Sequence, residues 1–134
     1  MTTTQDIIGA YLAAFNRGDW PGMLALLADD VAHDINQGAT QHGKPAFAAF
    51  LDHMARCYRE ELRDIVVMAG PDGSRAAAEF QVLGEYLAQD AELPPARGQR
   101  YALPAGAFFS LKDGRISRVT MYYNLQEWLR QVGG

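Results

Sequence analysis

Apolar residues recur at intervals of three and four from Thr4 to Arg17. Ile7, Ile8, Tyr11, Leu12 and Phe15 therefore share one face of a predicted helix. Thr3 followed by Asp6 has the form of a capping box, and Gly18 supplies a stop. Asp19 and Pro21 open a second helix with Met23, Leu24, Leu26 and Leu27 on its buried side. A short strand is expected over 31–36, and 37–43 reads as a loop. Pro45 then starts a third helix whose inner face carries Phe47, Phe50, Leu51, Met54 and Tyr58.

From Leu62 the period changes. Ile65 to Met68 favour a strand, residues 70–74 form a turn, and 75–87 read as a longer strand. Residues 88–98 contain Pro94-Pro95 and read as an exposed excursion. A strand resumes over 99–111, where Pro104 and Gly106 imply an edge or a bulge. Lys112-Asp113-Gly114-Arg115 is a hairpin signal, 116–124 returns as a strand, and Leu125, Trp128, Leu129 and Val132 suggest a closing helix. Segregated helices and a meander predict a single α+β domain spanning 1–134.

Composition narrows the partners more than the fold. The net charge is −4 with Lys and Arg scattered, which argues against nucleic acid or an anionic membrane surface. No apolar run is long enough to span a bilayer, and a reducing, cytoplasmic setting is expected. Cys57 is the single cysteine, so an internal disulfide is excluded. No glycine-rich phosphate loop is present, and His33, His42 and His53 lack regular ligand spacing; neither a cofactor nor a metal is expected.

The chemistry concentrates at His33-Asp34. An acid inside a short apolar run is costly to bury unless it is paired or neutral. Asp34 facing a cavity would be the natural proton acceptor. Strand alternation allows only one of His33 and Asp34 to look inward.

Several joints carry a family resemblance: Tyr11 with Asn16-Arg17-Gly18-Asp19, Leu26-Leu27-Ala28-Asp29-Asp30, His33-Asp34, Gly43, Asp113-Gly114-Arg115-Ile116 and Tyr122-Tyr123-Asn124-Leu125. In this order they resemble the NTF2-like superfamily, and within it the ketosteroid isomerase and SnoaL-like polyketide cyclase branch. The resemblance implies a cone-shaped roll, with three helices from the N-terminal half packed on a curved, mainly antiparallel sheet. Ketosteroid isomerases place a donor tyrosine eight residues before the Gly-Asp aspartate, as Tyr11 stands to Asp19. Their aspartate base lies nine residues before a glycine, as Asp34 stands to Gly43. Their oxyanion hole also contains a protonated aspartic acid. Its counterpart would fall near Gly106 or Ala107, and neither can donate from a side chain.

The resemblance thus implies an isomerase- or cyclase-type enzyme working by general acid–base catalysis on a small hydrophobic carbonyl compound. Asp34 would be the base, Tyr11 the donor and His33 a relay. Phe15, Phe50, Met54, Phe108, Met121, Tyr123 and Asn124 are the expected ligand contacts. The alternative is a non-catalytic carrier for a small hydrophobic ligand. A third reading is an interaction scaffold whose outer sheet face makes a homodimer; a homodimer is expected and is compatible with all three.

Overall fold

A computed structural model describes residues 2–133. Helix α1 (Thr4–Arg17) begins at the capping box: Thr3 Oγ1 accepts from the Asp6 amide at 3.1 Å, and Asp6 Oδ2 accepts from the Thr3 amide at 3.0 Å. Gly18 ends it at φ 69°, a left-handed conformation that glycine adopts without a Cβ penalty. Asp19 caps α2 (Trp20–Ala25) by accepting from the Gly22 amide at 2.9 Å. Strand β1 (Leu27–Asp34) starts four residues earlier than the apolar run suggests. A short β2 (Thr40–His42) forms inside the expected loop.

Helix α3 (Lys44–Cys57) passes directly into β3 (Tyr58–Ala69). It is followed by β4 (Arg75–Tyr86), β5 (Arg100–Lys112), β6 (Arg115–Tyr123) and α4 (Leu125–Val132). The six strands form one sheet in the order β2-β1-β6-β5-β4-β3; β1 runs parallel to β6, and the other neighbours are antiparallel. The α+β roll with helices against a curved sheet is as expected. The Asp113-Gly114 turn joins β5 to β6 with φ of 53° and 75°, the two positive values of a type I′ hairpin.

Pro104 does not mark the edge of the whole sheet, because β5 lies between β4 and β6. It is tolerated because β6 ends at Tyr123, opposite Ala105, so Pro104 has no β6 neighbour to which it would donate. Just beyond, the Gln131 side-chain amide stands in for the missing strand. It accepts from the Ala102 amide at 2.9 Å and donates to the Ala102 carbonyl at 3.0 Å. Asn16 does the same at the other edge, bonding both backbone groups of Leu62 at 3.0 and 2.8 Å and so tying the end of α1 to β3.

The core lies between helices and sheet, and Ile8, Leu27, Val31, Phe80, Tyr86, Phe109, Ile116 and Val132 are almost wholly buried in it. Burying each such side chain contributes roughly 1.5–3 kcal/mol before entropy is counted. A bulge between Arg63 and Val66, with Asp64 at φ 54°, bends β3 and adds curl. No helix among the described residues is long and apolar enough to cross a membrane.

Candidate active site

Strand parity sends His33 and Asp34 to opposite faces. Val31 and His33 point to the helices and are buried; Asp34 points to the outer face. There the Asp34 carboxylate accepts from Thr40 Oγ1, Arg118 Nε and Thr120 Oγ1, each at 2.6 Å. The Thr120 hydroxyl first, then Thr40 and Arg118, hold its pKa down to about 2. A carboxylate so fully occupied has little affinity for another proton. The expected meeting of Asp34 and Tyr11 in one cavity is therefore corrected: the two oxygens lie on opposite sides of the sheet.

Tyr11 itself is inward and 6% exposed, edge-on to Phe109 with ring centroids 5.6 Å apart. Burial pushes its phenol well above the ordinary value. His33 lies between Phe47 and Phe50, with centroids at 4.5 and 4.6 Å, and its buried Nδ1 has no hydrogen-bond partner. Burial lowers its pKa to about 4, outweighing the nearby Asp34 charge, so the ring is neutral at pH 7.

Among the expected ligand contacts, Phe50, Met121 and Tyr123 pack against the core from the inner face yet keep some exposed surface. Met54 is half-buried on α3. Phe15 packs on Trp20, with centroids 5.9 Å apart. Two contacts need correction. Phe108 lies on the outer face, 50% exposed and edge-on to Tyr122, because its β5 parity is opposite to that of buried Ala107 and Phe109. Asn124 caps α4, its side chain accepting from the Glu127 amide at 3.1 Å.

The interior carboxyl is one the sequence reading did not single out. Tyr58, Glu60 and Leu62 share the inner face of β3, and Glu60 stays half-buried. Tyr101 Oη donates to Glu60 Oε2 at 2.5 Å. Glu60, Gly84 and Tyr101 are aligned across β3, β4 and β5. A Cβ at Gly84 would stand 2.1 Å from Tyr101 Cζ, so the bare glycine backbone is what lets the ring lie across β4 to reach Glu60.

Burial raises the Glu60 pKa, and the Tyr101 hydrogen bond opposes that rise. Glu60 Oε1 accepts no hydrogen bond from any described residue and is not sealed from solvent. The Tyr123 phenol is raised chiefly by burial, with smaller contributions from the charges of Glu60 and Asp90, while the Asn36 side-chain amide donates to the Tyr123 backbone carbonyl at 3.3 Å. Trp128 closes the wall, edge-on to Tyr58, Tyr86 and Tyr101 at 6.2, 5.0 and 5.9 Å. The alternation Tyr58-x-Glu60-x-Leu62 was the available signal, hidden because the strand was expected to begin only at Leu62.

Helices packed on a curved six-stranded sheet define a class of small α+β rolls, and comparison with known proteins agrees on that fold. The SnoaL-like domain model matches residues 8–119, and the chain belongs to that family. A crystal structure of a proposed polyketide cyclase from Pseudomonas putida KT2440 is 61% identical with a TM-score of 0.97, covering 98% of this chain and 99% of that one. Another, from Silicibacter sp. TM1040, is 55% identical with a TM-score of 0.97, covering 100% of this chain and 98% of that one. An NTF2-like protein from Burkholderia xenovorans LB400, 18% identical with a TM-score of 0.76 over 96% and 95% of the two chains, shares the fold. A search of curated proteins gave no match.

Proposed function

We propose that this chain is a polyketide cyclase-like acid–base enzyme acting on a small hydrophobic carbonyl compound, with Glu60 rather than Asp34 as its base. The observation that carries the reading is the inner Glu60–Tyr101 pair. One carboxylate oxygen is fixed by a phenol at 2.5 Å, while the other remains free to take a proton. Half-burial raises the proton affinity of that oxygen above that of an ordinary carboxylate, as a base next to a carbonyl requires. Tyr101 is a positioning residue, since its hydroxyl is spent on Glu60. The Tyr123 phenol, within electrostatic reach of Glu60, is the candidate donor to the developing enolate oxygen. Phe50 and Met121 supply apolar wall, and neutral His33 a polar point within it.

The test is proton exchange at the α-carbon of an aryl methyl ketone in deuterated buffer, followed by NMR. Wild type should accelerate exchange, and Glu60→Gln should slow it by about a hundredfold or more, the usual worth of a positioned base. Ketone binding without any exchange in wild type would instead favour a carrier. An unchanged rate in Glu60→Gln would remove Glu60 from the chemistry. The outer face, where Phe108 and Tyr122 lie half-exposed and edge-on, supports association with a second copy, which sedimentation velocity would read directly.

A further inference from the structure

Where α3 meets the 88–98 loop, three unlike donor atoms converge. His53 and Cys57 lie one helical turn apart, a spacing that stacks side chains on one face. Asp90 reaches them from the loop after β4. His53 Nε2 is 2.8 Å from Asp90 Oδ1 and 3.9 Å from Cys57 Sγ, and the three donors all lie within 4.8 Å of one another. We propose that His53, Cys57 and Asp90 form a binding site for a borderline divalent cation, zinc above all, with the fourth position open.

His53 and Asp90 stand at hydrogen-bond distance, and the thiol beside them is what turns the pair into a ligand set. A single nitrogen faces both neighbours, and its one hydrogen can serve only one of them. Cys57 Sγ, only 4% exposed as a residue, then has just the Gln89 carbonyl at 4.0 Å as its other partner. Tetrahedral zinc with Zn–S near 2.3 Å and Zn–N or Zn–O near 2.1 Å sets N to O apart by about 3.4 Å and N to S by about 3.6 Å. Closing on an ion therefore spreads His53 Nε2 from the Asp90 oxygen by about 0.6 Å, draws it toward Cys57 Sγ by about 0.3 Å, and brings the sulfur and the carboxylate oxygen, now within 4.8 Å, to about 3.6 Å. A thiolate and a carboxylate with a neutral imidazole also balance a double positive charge.

The surroundings hold the ligands in place. Tyr58 Oη donates to the other Asp90 oxygen, Oδ2, at 2.7 Å. The Asp90 amide donates to Tyr86 Oη at 3.0 Å, and Tyr86 Oη in turn donates to the Pro94 carbonyl at 2.7 Å. This is the outer support that metal-ligating carboxylates receive. One contact must give way. Arg56 Nη2 donates to His53 Nδ1 at 3.5 Å, and metal at Nε2 puts a proton on Nδ1, so this exposed arginine swings into solvent. The mixed ligand set explains why a search for patterned histidines alone passed over the site.

The probes are Co²⁺ and Zn²⁺, added to the reduced full chain. One Co²⁺ per chain should bind, with the visible bands of a four-coordinate ion and a near-ultraviolet thiolate charge-transfer band. Zn²⁺ should displace it and raise Tm. Cys57→Ser should remove the charge-transfer band. Asp90→Asn, which keeps an acceptor for Tyr58, should weaken cobalt binding by about tenfold or more. Absence of saturable Co²⁺ binding up to about 1 mM, or a charge-transfer band undiminished in Cys57→Ser, overturns the proposal. Both readouts are independent of proton exchange, so they stand apart from the role given to Glu60.

Discussion

Tyr101 reaches Glu60 across the bare backbone of Gly84, and the 2.5 Å bond between them joins β5 to β3 over the strand that separates them. Two opposed influences meet at that carboxyl: burial raises its pKa, and the phenol's hydrogen bond lowers it. Burial is the larger. The net effect is a carboxyl whose pKa lies above the ordinary value of 4.5.

Tyr101→Phe separates the two influences. Losing the donor leaves burial unopposed, so the Glu60 pKa rises further and a smaller fraction is ionised at neutral pH. NMR titration of the Glu60 side-chain carboxyl should show the shift. The acid limb of any proton-exchange profile should move to higher pH with it, while the plateau at high pH is less affected. A shift in the opposite direction would mean that the hydrogen bond stabilises the neutral acid.

Gly84→Ala tests the geometry rather than the charge. The added methyl would lie 2.1 to 2.4 Å from Tyr101 Cζ, Cε2 and Oη, so the ring must leave Glu60. Forcing such a group into a packed inner face costs about 1–3 kcal/mol, readable as a lower urea midpoint. Exchange activity should fall alongside stability, because the carboxyl loses its anchor.

The helices, the closing hairpin and the α+β class were legible because capping residues, proline at the start of α2 and the Asp113-Gly114 turn are local signals. The site was legible only in part. His33-Asp34 was recognisable as a place where one residue must face inward, but parity alone does not say which. The choice depends on where β1 begins, and the strand starts at Leu27, earlier than its apolar residues indicate. Glu60 was hidden by the same kind of boundary, since α3 passes into β3 without a linker. Its partner Tyr101 is distant in sequence and aligned only by the register of three strands. The outward turn of Phe108 likewise follows from register, not from hydrophobicity.

Asp34→Asn should cost stability and leave proton exchange in place. The Asp34 pKa is lowered from 3.8 to about 2, so its contribution is fully present above pH 3.8 and is lost as the pH falls through about 2. The group is partly open to solvent, which limits the cost at neutral pH to about 1–2 kcal/mol. Thermal melts at pH 7 and pH 2 are the measurement: the difference between wild type and variant should shrink at the lower pH. A loss of exchange at unchanged fold would return Asp34 to the mechanism.

His33→Phe addresses the other half of that dipeptide, in a different pH window. The His33 pKa is lowered from 6.5 to about 4, chiefly by burial, so the folded state resists a proton that the unfolded chain accepts. The stability it confers is complete above pH 6.5 and declines as the pH falls toward 4, by about 2 kcal/mol at pH 5. Phenylalanine removes the titration and also the buried Nδ1 that has no partner, while keeping an aromatic ring against Phe47 and Phe50. Any overpacking cost is the same at every pH, so the diagnostic is the slope. Wild type should lose stability between pH 7.5 and pH 5, and the variant should lose distinctly less. Equal slopes would show that His33 is protonated in the folded protein, and that the aromatic enclosure does not keep it neutral.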